Sequence, residues 1–349
     1  MPERAIIADD LTGALDAAAP FAMRGISTAV ALDVHALPEA IATGARVIGV
    51  STDSREIAPD AAREAVRLAV AQLPEGTQLF KKVDSRLKGN IAAELDAMPH
   101  ERSLVVPAIP AFGRWMRDGR LGGFGVAEPI AIAERLGAHA DVAAIPDIED
   151  QTDIERALSQ DVDLLIGARS LAEALAKMMA PDAVLPDLSL PQANVYCVIG
   201  STDPITLRQL QHLRESNPDL VYIPAPNGTA PDGVLPYPGR LTVIQAVPGD
   251  APADGVAVGM ALGQSLARLS PAPGSLLIFS GGATAQVILG QLGIRVLELV
   301  GEAQPGLPLA RAGGYTVITK SGGFGDREAL TRLTAAYRTI GSPVQHHVG

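Results

Sequence analysis

The chain has one cysteine in 349 residues, so neither a disulfide framework nor a cysteine-based zinc site can exist. That residue, Cys197, lies in the apolar run NVYCVIG and reads as a buried structural thiol rather than a reactive one. Aromatic residues make up only 3%, so the cores must be assembled from Ala, Val, Leu and Ile. No apolar run reaches the roughly 18 residues of a membrane span. The N-terminal MPERAIIADD also has no charged segment followed by a long apolar stretch, which predicts a cytoplasmic protein. An excess of basic charge is missing too. A formal charge of −11 and a pI near 5.0 exclude a broad nucleic-acid or anionic-membrane surface. No GxxxxGK[ST] occurs and no GxGxxG follows a strand, which excludes a P-loop and disfavours an ordinary dinucleotide site.

What is present is a globular composition, 47% hydrophobic and 19% charged, over a length that suggests two domains. Short Val/Ile-rich runs alternate with Ala-rich segments of helical period, the pattern of parallel strands covered by helices. Strands are predicted over 5–8, 27–32, 46–52, 79–83, 103–109 and 163–167, with helices over 12–23, 58–72, 91–97 and 170–179. The series resumes with strands over 195–199, 221–224, 241–246, 275–279 and 315–319, and helices over 204–215, 255–269, 284–292 and 327–339. Between them, residues 181–192 carry three prolines that oppose helix continuation. The expected organisation is therefore an α/β protein of two domains, 1–180 and 193–349, joined by a linker over 181–192. Each would be a mostly parallel sheet flanked by helices, with the active site in the cleft between them. The Pro/Gly-rich stretch 224–239 reads as a long loop inside the second domain.

Three segments of the first domain could carry chemistry. IIADDLTGA ends a strand in Asp9 and Asp10 and opens a helix with Thr12 and Gly13; ligands bind beyond the carboxyl ends of such strands. One acid could simply cap the helix, but two adjacent carboxylates cannot both do so. In KKVDSRLKGN, strand alternation places Lys82 and Asp84 on one face and Lys81 on the other, ahead of a basic turn with Ser85, Arg86 and Lys88. The plain alternative is a solvated strand end with a weak ion pair. VPAIPAFGRWMRDG offers Arg114, whose planar fork suits a carboxylate or phosphate, on a Pro/Gly loop that could equally be a connector.

The second domain contains three strand-to-helix turns made of small residues: GSTDPIT over 200–206, FSGGAT over 279–284 and TKSGGFGD over 319–326. Such turns expose backbone N–H groups and a helix N-terminus to a phosphate. One alone is weak, because glycine also ends strands for steric reasons. Three in one domain point to a nucleotide.

Taken together, IIADDLTGALDAAAPFAMRG, KKVDSRLKGNI, PAFGRWMRDG, GSTDPITLRQ, SGGATA and TKSGGFG resemble, in order and spacing, the four-carbon acid sugar kinase family, over nearly the whole chain. The resemblance implies an N-terminal acid-sugar-binding domain, a C-terminal nucleotide-binding domain, and phosphorylation of a tetronate-type hydroxyl by ATP with Mg2+. Threonate, erythronate and 3-oxo-tetronate are the substrates of that type. It places Asp9, Asp10, Lys82 and Asp84 in the catalytic group and Thr12, Ser85, Lys88, Arg114 and Asp118 around the sugar. Ser201, Gly281, Gly282, Ala283, Thr284, Gly322 and Gly323 fall around ATP, and no metal ligand is assigned. The chain departs from the family pattern at Lys88, Asp203 and Ala283, and in a shortened stretch after Val126. The partners implied are the acid sugar and ATP alone, with no nucleic acid or membrane and with a homo-oligomer left open. Two other readings are a sugar-phosphate phosphatase using Asp9 as nucleophile and a binding protein that has lost turnover.

Overall fold

The computed structural model describes residues 1–183, 186, 188, 194–233 and 241–337. Most of the expected linker at 181–192 lies outside the described residues, as do the end of the helix expected over 327–339 and part of the 224–239 loop. The chain divides into two compact units, one of Met1–Asp187 with Arg295–Gly301 and the other of Leu188–Ile294 with Glu302–Gly349.

The first unit runs β1 (Arg4–Ala8), α1 (Leu11–Ala22), β2 (Thr28–Ala31), α2 (Leu37–Ala42), β3 (Val47–Ser51), α3 (Pro59–Val70), β4 (Gln78–Lys82) and α4 (Ile91–Leu95). It continues through β5 (Ser103–Val106), β6 (Arg114–Arg117), β7 (Arg120–Gly123), β8 (Ile130–Ala131), α5 (Ile132–Leu136), β9 (Ala143–Ala144), α6 (Gln151–Ala157), β10 (Leu164–Gly167) and α7 (Arg169–Met179). The sheet order is β2-β3-β1-β4-β10-β5-β9, all parallel. The apolar runs of β1, β3 and β10 are buried throughout or nearly so, as strands covered on both faces must be. In α3, Ala62, Val66 and Ala69 repeat at helical spacing and form its buried stripe, and Pro59 starts the helix where no N–H is needed.

Residues 106–119, expected as loop, instead lead into a hairpin. β6 and β7 pair antiparallel, β8 extends them, and Asp118 and Gly119 make the two-residue turn with φ of 49° and 68°. Left-handed backbone at both positions is what an Asp-Gly hairpin turn provides. Asp118, expected near the sugar, is thus accounted for by turn geometry; its backbone N–H is held by Asp147 at 2.8 Å.

The second unit runs β11 (Val195–Ile199), α8 (Pro204–Ser216), β12 (Val221–Pro226), β13 (Thr242–Val247), α9 (Gly255–Arg268), β14 (Leu276–Ser280) and α10 (Gly282–Gln291). β15 (Val296–Gln304), β16 (Leu307–Ala312), β17 (Tyr315–Lys320) and α11 (Ala329–Tyr337) follow. Its order is β12-β13-β11-β14-β17-β16, with only β16 antiparallel to β17. The first residues of β15 belong to the first unit, where Val296–Leu299 pair antiparallel with β2. Cys197 is buried in β11, and burial pushes its thiol up to about 12, so it is the inert thiol expected. No described helix is long and apolar enough to cross a membrane.

Both sheets contain a topological switch point. In the first, β1 connects through α1 towards β2 while its neighbour β4 leads through α4 towards β5 on the other side. In the second, β11 leads through α8 towards β12, whereas its neighbour β14 leads away towards β17 and β16. Beyond the carboxyl ends of two such diverging strands a crevice opens, and ligands of α/β proteins bind there.

Candidate functional sites

At the switch point of the first unit, the two acids of ADD have different tasks. Asp10 is the helix cap: its extended backbone lets Oδ1 accept from Gly13 N–H at 2.6 Å. Asp9 is 2% exposed and is gripped by Arg55, whose Nε and Nη2 donate to its two oxygens at 2.9 and 2.7 Å. The third nitrogen, Nη1, lies 2.6 Å from Asp10 Oδ2. Burial alone would raise the Asp9 carboxyl, but the Arg55 hydrogen bonds and the charges of Lys81, Arg55 and Lys82 outweigh it and hold the carboxyl below its ordinary range. The same pairing raises Arg55 in spite of burial. Gly89 makes this possible, since a Cβ there would sit 3.1 Å from Asp9 Oδ2 and 3.5 Å from Arg55 Cγ.

Strand alternation sends the two lysines of β4 to opposite faces, as expected. Lys81 is buried 2.9 Å from Glu94 of α4, off the hydrogen-bonding direction, and Glu94 also accepts from Ser54. Lys82 lies on the α1 side, where its Nζ donates to Val83 O at 2.9 Å and has no other partner among the described residues. Asp84 does not share the Lys82 face through strand geometry, because β4 ends at Lys82. It folds back as a turn cap, with Oδ1 accepting from Arg86 N–H at 2.9 Å and Lys88 N–H at 3.4 Å. Oδ2 makes no hydrogen bond among the described residues. The Thr12 and Ser85 hydroxyls and the exposed Lys88 ammonium are likewise uncommitted there.

Arg114 is 8% exposed, and its Nε and Nη2 both donate to Phe124 O, at 3.1 and 3.0 Å. Burial and the nearby Arg86 charge pull its pKa down, and Asp84 opposes them. Among the described residues it has no carboxylate partner, so half of the expected fork serves the backbone and the positive charge remains unpaired.

Asp53 and Arg55 belong to no motif that the sequence alone marks out. Asp53 has φ of 50°, and the low-dielectric surroundings of its carboxyl and the Asp10 charge push its pKa up. The visible signal was position, since STDSR lies at the carboxyl end of β3 beside β1. A separate hollow of about 660 Å³, lined by Arg4, Gln78, Leu79 and Leu175 among others, opens at the amino ends of the strands, away from these acids.

In the second unit the three small-residue turns meet at one place. Gly200 and Ser201 N–H both donate to Ser280 O at 3.1 Å, and Gly281 N–H donates to Lys320 O at 2.9 Å. Helix α8 is capped by Asp203 and α9 by Asp254, but α10 begins at Gly281 with no side-chain cap. The N–H groups of Gly282, Ala283 and Thr284 therefore have no acceptor among the described residues, and neither do those of Ser321, Gly322 and Gly323. Gly281 has φ of 111° and ψ of 118°, a conformation open to glycine alone. A Cβ on Gly322 would meet Ser201 Oγ and lie 3.2 Å from Asp203 Cβ, so a side chain there would displace the Ser201 hydroxyl. Of the expected nucleotide residues, Ser201, Gly281, Gly282, Ala283, Thr284, Gly322 and Gly323 all lie on these turns. A row of unclaimed N–H groups at a helix N-terminus suits a polyphosphate.

Both units have counterparts among known proteins. Residues 4–217 match the family of sugar-binding N-terminal domains and residues 239–330 that of nucleotide-binding C-terminal domains. A D-threonate kinase of Cupriavidus necator is 30% identical, covering 93% of this chain and 95% of that protein. A D-threonate kinase of Bordetella bronchiseptica is 29% identical over 97% and 98% of the two chains. A D-erythronate kinase of Heliobacterium modesticaldum is 40% identical over 123 residues, 33% of this chain and 28% of that one. A solved Salmonella typhimurium structure superposes with a TM-score of 0.75 at 20% identity, covering 97% of this chain and 100% of that one, a likeness of fold.

Proposed function

Because the chain belongs to the four-carbon acid sugar kinase family, we propose that it transfers the γ-phosphoryl group of ATP to a hydroxyl of a four-carbon acid sugar such as threonate or erythronate. The second unit would hold the nucleotide and the first the sugar. The observation that carries this reading is the set of unclaimed N–H groups around uncapped α10 at a switch point, a phosphate cradle without a P-loop lysine.

In such a transfer the protein contributes positioning and charge stabilisation. Lys82, with two N–H bonds to offer, and the unpaired Arg114 charge suit the substrate carboxylate, while the Thr12 and Ser85 hydroxyls suit its hydroxyls. The proton of the attacking hydroxyl needs an uncommitted carboxylate oxygen. Asp9 has both oxygens on Arg55, and Asp10 has one on Gly13 and the other on Arg55. Asp84 Oδ2 is the remaining candidate within the predicted catalytic group. The same inventory argues against a phosphatase with Asp9 as nucleophile, since Asp9 is buried and doubly hydrogen-bonded.

Mg2+ would neutralise phosphate charge. No group of three or more potential ligands occurs among the described residues, but Mg2+ commonly takes one or two carboxylates together with phosphate oxygens. Asp203 fits that role, with Oδ1 capping Ile205 N–H and Oδ2 facing Gly323.

A coupled ADP-release assay over acid sugars of four to six carbons tests the reading. Turnover with the four-carbon acids is expected. Phosphate release from a sugar phosphate without ATP, or thermal stabilisation by ligands with no turnover, would replace it with one of the rival readings. Within the kinase reading, Asp84→Asn should lower kcat by about 100-fold, the scale of a lost general base, with ATP affinity little changed. If Asp53→Asn has that effect instead, Asp53 is the base.

A further inference from the structure

The cluster of interest lies beneath the phosphate cradle. Lys320, the last residue of β17, is 1% exposed. Its Nζ donates to Thr206 Oγ1 at 3.0 Å, Ser321 O at 2.9 Å and Gly322 O at 3.0 Å. An ammonium has three N–H bonds, and all three end on neutral acceptors. No carboxylate pairs with it among the described residues. Thr206 Oγ1 in turn lies 2.6 Å from Gly322 O, so α8 and the 320–323 turn are tied through a single buried point. A buried ammonium is costly unless an opposite charge compensates it. Within this site no protein group does so fully.

We propose that Lys320 is a positioning residue for the nucleotide: by bonding the carbonyls of Ser321 and Gly322 it sets the turn whose N–H groups face the ligand, and its uncompensated charge is matched when the polyphosphate binds above it. This rests on the kinase reading. The lysine would not touch the phosphates; it acts through the turn and through the field across it. In the free protein, burial pulls its pKa down to about 8 and the Asp203 charge before α8 opposes the shift, while the Cys197 thiol of β11, pushed up to about 12, is neutral there. The charge is therefore present below about pH 8 and is lost as pH rises through that value, so nucleotide affinity should fall on the alkaline side.

The test is calorimetric titration of the full chain with adenosine, AMP, ADP and ATP at pH 7.0 and 9.5, on the native protein and on Lys320→Met and Lys320→Arg. In Lys320→Met, ATP affinity at pH 7.0 should drop about 30-fold or more, AMP only a few-fold and adenosine hardly at all, because the missing interaction is with charge. Lys320→Arg should recover part of the ATP loss. Native ATP affinity should fall at pH 9.5, and this fall should be absent in Lys320→Met. A uniform loss for all four ligands, or an unchanged ATP affinity, overturns the proposal. Should Lys320→Met not fold, the graded alkaline loss in the native chain decides alone, and equal loss for adenosine and ATP overturns it. A native chain that binds none of the four would instead sink the kinase reading itself.

Discussion

A Gly281→Val variant is expected to bind ATP on the order of 1000-fold more weakly than the native chain while retaining its affinity for acid sugar. The backbone at 281 has φ of 111°, where a β-branched residue is strained whatever the space, and its Cβ would lie 3.2 Å from Thr284 Oγ1 and 3.5 Å from Ser201 N. Relief of that strain must rotate the peptide that launches α10, and the N–H groups of Gly282, Ala283 and Thr284 would turn with it. Two lost hydrogen bonds to a charged phosphate, at ~1.5–3 kcal/mol each, correspond to roughly three decades in affinity. Calorimetry with ATP reads the effect, and thermal unfolding shows whether the second unit is intact. A folded variant that binds ATP within threefold of the native value would move the nucleotide site elsewhere.

Arg55→Met should be the most destabilising single change at the switch point of the first unit, costing about 3 kcal/mol, the lower end for a buried ion pair broken on one side. It leaves Asp9 buried with no hydrogen-bond partner and removes the link to Asp10. The pH dependence should also change sign. In the native chain the Asp9 carboxyl is depressed below its ordinary 3.8, so its contribution is full above that value and is lost as pH falls through the folded pKa. Without Arg55, burial, the largest influence on Asp9, is opposed only by the charges of Lys81 and Lys82, so the folded pKa should rise and acidification should then stabilise the variant by protonating Asp9. Urea unfolding at pH 7 and pH 5 should show native stability level or falling towards acid and variant stability rising. Arg55→Met with Asp9→Asn should regain much of the loss, since the buried charge at position 9 is gone and the Asp10 carboxylate left without Arg55 is partly exposed. A loss under about 1 kcal/mol, or parallel pH trends, would mean the Arg55 pair contributes little.

These cases show which features could be read from sequence and why others could not. Asp9, Asp10 and Lys82 end apolar runs, and strand ends at a sheet's carboxyl edge can be recognised one strand at a time. The cap role of Asp10 was also available locally, three residues from Gly13. Arg55 was not, because its partner is 46 residues away and meets it only through the pairing of β1 with β3. Lys320 lay inside a recognised motif, yet its value depends on Thr206, which reaches it from another strand–helix connection. In RWMRDGRLGG the Asp-Gly pair is a usable hairpin signal, but the flanking strands lack clean alternation, so the sequence alone reads as loop.

The strand segment Val296–Leu299, which borders β2, has a consequence for biosynthesis. On the ribosome, β2 emerges early, but the chain that covers its outer edge is made only after all of 188–294. At ~5–20 residues per second, the stretch between Ala31 and Val296 keeps that edge open for roughly 13–53 s. A four-residue, fully buried strand with unpaired backbone groups is a template for pairing with a neighbouring nascent chain, so on polysomes this interval is when self-association or chaperone capture would occur. A chain truncated at residue 187 would remain in that state permanently, and expression of the N-terminal half alone should yield aggregate unless residues 295–301 are supplied as a peptide or grafted on.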